Sequence, residues 1–60
     1  MCELNVYMTD NDERVMEGAV RLVVTDDKIF MEDIIGRSTE ITGRIKEVDI
    51  TSQKVLVDRL

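Results

Sequence analysis

The sequence predicts an all-β fold, and three observations predict it. Eight valines, six isoleucines and five threonines dominate the apolar and hydroxyl residues, against four leucines and one alanine. Their branched side chains are stiff at χ1 and suit a pleated strand better than a helix. Residues 2–8 alternate, with Cys2, Leu4, Val6 and Met8 on one face and Glu3, Asn5 and Tyr7 on the other, the period-2 pattern of a half-buried strand. Short apolar runs then recur between acidic or glycine-containing turns. At 60 residues the chain is expected to form one small domain over 1–60, since chains of this size bury only about 60% of their unfolded surface.

The elements follow in order. Thr9-Asp10-Asn11-Asp12 is a turn signal, because Asx side chains bond nearby backbone amides. Residues 13–17 read two ways. Asp10 and Glu13 have capping-box spacing and Val15, Met16, Ala19 and Val20 fit one helical face, but a helix over 11–17 has only two turns. A short strand or irregular edge leading into a strand at 19–25 is the preferred reading. Arg21–Val24 and Ile29–Met31 flank Thr25-Asp26-Asp27-Lys28 as a hairpin; a two-residue Asp-Asp connection lacks the glycine of a type I′ turn, which leaves a slightly longer loop open. Ile34-Ile35-Gly36-Arg37 closes the next strand into a turn. Residues 38–49 form a long strand in which Ile41 and Ile45 have one parity and Val48 and Ile50 the other, so all four face inward only across a bulge. Gly43 permits a sharp bend, as at a barrel corner. Thr51-Ser52-Gln53 turns the chain into a last strand at 54–58. Five short antiparallel strands, one of them bent, predict a small SH3-like or Sm-like barrel, which also hides strand edges.

Composition narrows function. There is no histidine, so the commonest general base and metal ligand is missing, and a domain this small has little room for an enclosed active site. The chain is not expected to be an enzyme. One cysteine cannot form an internal disulfide, no apolar run reaches the roughly 20 residues of a membrane helix, and no basic segment precedes an apolar one. These features predict a soluble cytoplasmic protein. Only Tyr7 and Phe30 are aromatic, so the core is small and aliphatic. Without disulfides such a chain gains burial by self-association, which predicts a homodimer. The net charge is -5, with nine acids and three bases in residues 1–36 against four acids and five bases in 37–60. An acidic half attracts cations and repels phosphate backbones.

Few motifs carry chemistry. Asp10-Asn11-Asp12 begins like a calcium loop, but Arg14 and Val15 occupy the positions that need a ligand and a glycine, so it reads as an ordinary acidic turn. Gly18, Gly36 and Gly43 are isolated and make no phosphate loop. Arg37, Arg44, Lys46, Lys54 and Arg59 offer a basic stripe that a small barrel could turn toward RNA, but acids are interleaved, Trp is absent and only Tyr7 offers an exposed ring. An RNA-binding module is the alternative reading, and an interaction domain that pairs a strand edge, with Asn5 and Tyr7 outward, is a third.

Cys2 remains. On the apolar face of a strand, a cysteine is ordinarily a small buried hydrophobe. Its position directly after Met1 gives it a second reading, because initiator methionine is commonly removed before a small residue. The mature chain then presents a thiol and a free amine on one residue. Their reference pKa values are about 8.5 and 8, and a bound cation displaces both protons. Two chains related by a twofold axis supply two nitrogens and two sulfurs. A tetragonal set of that kind suits Ni(II) or Cu(II) rather than tetrahedral Zn(II). The residues thus predict one metal ion per two chains.

Met1-Cys2-Glu3-Leu4-Asn5-Val6-Tyr7, with Gly43-Arg44-Ile45-Lys46-Glu47-Val48-Asp49 later in the chain, resembles the CooT family of small nickel-binding proteins, linked to maturation of nickel-containing carbon monoxide dehydrogenase. The resemblance spans the whole chain in length and pattern. It implies an SH3-like homodimeric barrel, Ni(II) bound through Cys2 of both subunits, and a nickel-enzyme maturation partner for what would be a metallochaperone. Sequences of this family have also been labelled predicted RNA-binding proteins.

Overall fold

The structure, a computed structural model, describes residues 3–60. Five strands make up the fold: β1 (Leu4–Met8), β2 (Arg14–Thr25), β3 (Lys28–Asp33), β4 (Ser38–Asp49) and β5 (Lys54–Arg59). They close into a barrel in chain order, each paired with the next in antiparallel fashion. The ring is completed by a parallel pairing of β1 with β5, Asn5 opposite Lys54 through Met8 opposite Val57. The all-β barrel expected from the sequence is therefore present, and the parallel seam is its one unforeseen pairing. Cys2, assigned by its alternation to the first strand, lies outside the described residues.

Alternation in β1 works as the sequence indicates: Val6 and Met8 are fully enclosed. With Ala19, Ile29, Met31, Val55 and Val57 they form the core, and Leu4, Val15, Met16, Leu22, Ile41 and Ile45 pack around it. Complete burial of a side chain such as Ile29 or Met31 contributes about 1.5–3 kcal/mol.

Of the ambiguous residues 13–17, all but Glu13 are strand, not helix: β2 runs continuously from Arg14 to Thr25. The irregularity that obscured them is real, however. Leu4 faces Ala19 and Val6 faces Met16, so three steps along β2 match two along β1. Gly18, at φ +72°, sits in this bulge. The β2–β3 hairpin has the two-residue connection, with Thr25 opposite Lys28. Asp26 adopts φ +54°, a region that Asp tolerates better than most residues.

Gly43 marks the corner of the barrel. β4 pairs with β3 up to Thr42 and with β5 from Gly43 onward. A Cβ at Gly43 would stand 2.7 Å from the Asp58 carbonyl oxygen and 2.8 Å from a Val57 methyl, closer than any side chain permits. The expected bulge in β4 falls between Ile45 and Glu47. It does not bring the second pair inward: Val48 and Ile50 stay about half exposed.

Candidate metal centre

Cys2, the residue on which the sequence builds a metal centre, precedes the described chain; the first described residues, at the start of β1, are surrounded by four segments. Asn5 N–H donates to the Gln53 carbonyl (2.8 Å), which ties β1 to the β4–β5 turn. The Asn5 side-chain oxygen accepts from Gly18 N–H (3.1 Å). That bond satisfies an amide freed by the bulge. Asn5 is thus a bracket within the barrel wall rather than the free outward group its alternation implied. Glu3 folds over the same glycine, its Oε1 3.2 Å from where a Gly18 Cβ would stand. Glu3 and Glu17 are exposed, and Glu17 is 3.9 Å from Arg14.

Two open depressions meet at Glu3, Glu17 and Gly18. One continues to Asp33, Ile34, Ile35 and Arg37, the other to Asn5 and Gln53. Both open broadly to solvent, unlike the enclosed clefts in which substrates are usually held.

The β3–β4 turn beside them is organised by Asp33, which is 6% exposed. Its carboxylate accepts from Ile35 N–H (3.1 Å), Arg37 N–H (2.9 Å) and Arg37 Nε–H (2.6 Å). Burial is the largest single influence on this carboxyl and raises its pKa. The Arg37 side-chain and backbone bonds, the Arg37 charge and the Ile35 amide together outweigh it and hold the group below its ordinary value. The spacing from Asp33 to Gly36 and Arg37 is an Asx-turn signal that sequence reading passed over.

Cys2 is the only metal-site residue the sequence singles out, and it lies outside the described residues. Among the described residues, no group of three or more Cys, His, Asp or Glu side chains converges to hold an ion. Asp10-Asn11-Asp12 is a turn fastened by Arg59, whose guanidinium reaches Asp10 (2.8 Å) and Glu13 (3.7 Å). Ion pairs engage three of the five residues of the basic stripe. Arg59 is taken by Asp10 and Glu13, Arg44 faces Asp27 (3.6 Å), and Arg37 is bound to Asp33.

The described residues form a closed five-stranded barrel with two open, acid-flanked depressions beside the start of β1. Residues 1–58 match the family described as CO dehydrogenase accessory protein CooT, and the chain belongs to the CooT family. That family is one of accessory proteins to CO dehydrogenase, not of enzymes. The chain is 33% identical over 58 residues to an uncharacterized protein of Methanocaldococcus jannaschii, covering 97% of this chain and 98% of that one. It is 40% identical over 43 residues to an uncharacterized protein of Archaeoglobus fulgidus, covering 72% and 96%. A crystal structure of a candidate CooT from Carboxydothermus hydrogenoformans has the same fold, with a TM-score of 0.89 at 24% identity over 98% of each chain.

Proposed function

We propose that this protein is a nickel-binding metallochaperone that serves maturation of a nickel enzyme such as carbon monoxide dehydrogenase. A homodimer binds one Ni(II) as cargo through the thiolate and terminal amine of Cys2 from each chain. The observation that carries this reading is the single cysteine at position 2 in a chain of the CooT family. The donor chemistry supports it, since mixed thiolate and amine donors suit a tetragonal divalent ion. The exposed carboxylates of Glu3 and Glu17 add a negative field at the entry that favours an arriving cation. Openness to solvent suits cargo that must leave again.

Native mass spectrometry with and without Ni(II) tests the reading. The expected result is loss of Met1, a dimer mass, and one nickel per two chains, with a thiolate-to-nickel charge-transfer band on titration. Cys2→Ser is expected to abolish both the bound nickel and the band. Unchanged nickel affinity in Cys2→Ser, measured by calorimetry, would sink the proposal.

A further inference from the structure

We propose that Asn5 is a positioning residue for the nickel donor: its side chain sets the register at the start of β1 and so fixes how Cys2 is presented to the ion. This role rests on the nickel reading above and adds to it the residue that holds the donor in place.

Asparagine is depleted in strands, where a β-branched residue fits better, yet Asn5 stands inside β1. The ladder around it does not fix the strand. Pairing of β1 with β2 shifts register between Leu4 and Val6 and again between Val6 and Tyr7. Among the described residues, the parallel ladder with β5 begins at Asn5 and gives Leu4 no partner. A strand paired across a glycine bulge is prone to slip, and a slip of one residue turns every side chain to the opposite face. The Asn5 side chain spans the first of these shifts. It accepts from Gly18 N–H (3.1 Å), an amide of the bulge itself. A side-chain bond thus supplies the register that the backbone ladder leaves open.

Both groups that bond Asn5 are themselves held. Five described residues have positive φ, and two of them, Gly18 at +72° and Gln53 at +57°, are the partners of Asn5. Gln53 accepts from Asn5 N–H (2.8 Å) and donates its own N–H to the Ile50 carbonyl (3.2 Å). Asp49 closes the same turn, accepting from the Thr51 hydroxyl (2.6 Å) and the Ser52 N–H (3.2 Å). Asn5 is therefore clamped between a bulge in β2 and a braced turn before β5. These three residues share a depression with Glu3 and Glu17, which sets the clamp beside the first described residue. Three residues separate Asn5 from Cys2, a chain length of at most about 11 Å. A residue that orients a donor without touching the metal still commands affinity, typically 10- to 100-fold.

Competition titration of Ni(II) against a chelator, on full-length variants shown to be folded by urea unfolding, tests the role. Asn5→Val removes the acceptor and keeps a strand former; it is expected to bind nickel at least about tenfold more weakly, with an altered charge-transfer band. Asn5→Asp keeps an acceptor oxygen and is expected to restore wild-type affinity, measured in high salt to screen its added charge. Val57→Ala, a core lesion opposite Met8 at the far end of β1, is expected to lose stability yet bind nickel as wild type does. A merely structural Asn5 would behave like Val57→Ala. Nickel affinity unchanged in Asn5→Val, or as weak in Asn5→Asp as in Asn5→Val, overturns the positioning role while loss of binding in Cys2→Ser leaves the nickel reading standing. Nickel retained by Cys2→Ser overturns both. Hydrogen exchange of the wild type needs no variant: the Gly18 amide is expected to be protected, and free exchange there overturns the clamp.

Discussion

Two turns of this barrel are both built on aspartate, and they solve the same problem in opposite ways. The β3–β4 turn (residues 34–37) encloses its acid. Asp33 is buried, each of its bonds is local, and the residues it leaves outside are apolar. The β1–β2 turn (residues 9–13) leaves its acids in water and fastens them at long range. Arg59 of β5 reaches Asp10 and Glu13, and the Thr9 hydroxyl donates to Asp58 (2.6 Å). Within it, Glu13 N–H donates to the Asn11 side chain (2.9 Å) and Asp12 turns the chain at φ +57°. The difference teaches that an acidic turn is not in itself a binding feature. What separates the two turns is where the carboxylate makes its hydrogen bonds: Asp33 within its own turn, Asp10 across the barrel to Arg59.

That contrast can be broken by mutation. The largest effect is expected from Asp33→Ala, which orphans two backbone amides and the Arg37 guanidinium at once; urea unfolding should show a clear loss of stability, while Asp10→Ala leaves the curve nearly unchanged. Gly18→Val comes next. The position has φ +72° and a Cβ there crowds Glu3, so a loss of about 2 kcal/mol is expected in the same assay. Acid titration sharpens the comparison. The Asp33 pKa is lowered by folding, so its contribution is present above the unfolded value of about 3.9 and disappears as pH falls through the lower folded value. Asp49, lowered chiefly by the Thr51 hydroxyl and the Ser52 amide, acts in the same direction. Asp33→Asn should therefore flatten the fall in melting temperature below about pH 4; a slope equal to that of wild type would refute the role given to this carboxylate. The smallest effect is Arg59→Ala, expected to lower stability by less than about 1 kcal/mol, with the difference shrinking in high salt.

Legibility in the sequence followed how local each determinant is. The faces of β1 could be read because Leu4, Val6 and Met8 alternate without interruption. Gly43 was visible as a corner because a glycine inside a Val/Ile/Thr-rich strand has few other uses. Residues 13–17 were ambiguous because the Gly18 bulge shifts the phase of the pattern, which then imitates helical spacing. The exposure of Val48 and Ile50 was not legible, since a bulge repositions parity without saying what lies opposite. Asn5 read as an outward residue, because only the fold reveals the unpaired amide that its side chain accepts. The parallel β1–β5 seam left no local trace, as it joins segments about fifty residues apart. For the candidate metal site, Cys2 came from its place in the chain alone, while Asp33, Gly18 and Glu17 come together only through β2, β3 and the turn beyond.

That seam governs how the barrel closes. β1 is the first strand of the barrel in chain order, yet one of its two neighbours is the fifth. Closing a loop of this length is entropically slow relative to the adjacent hairpins. One edge of β1, Asn5–Met8, therefore has no partner until β5 docks, and removal of residues 54–60 would leave that edge unpaired. The ring is thus closed by the pairing whose partners are farthest apart along the chain.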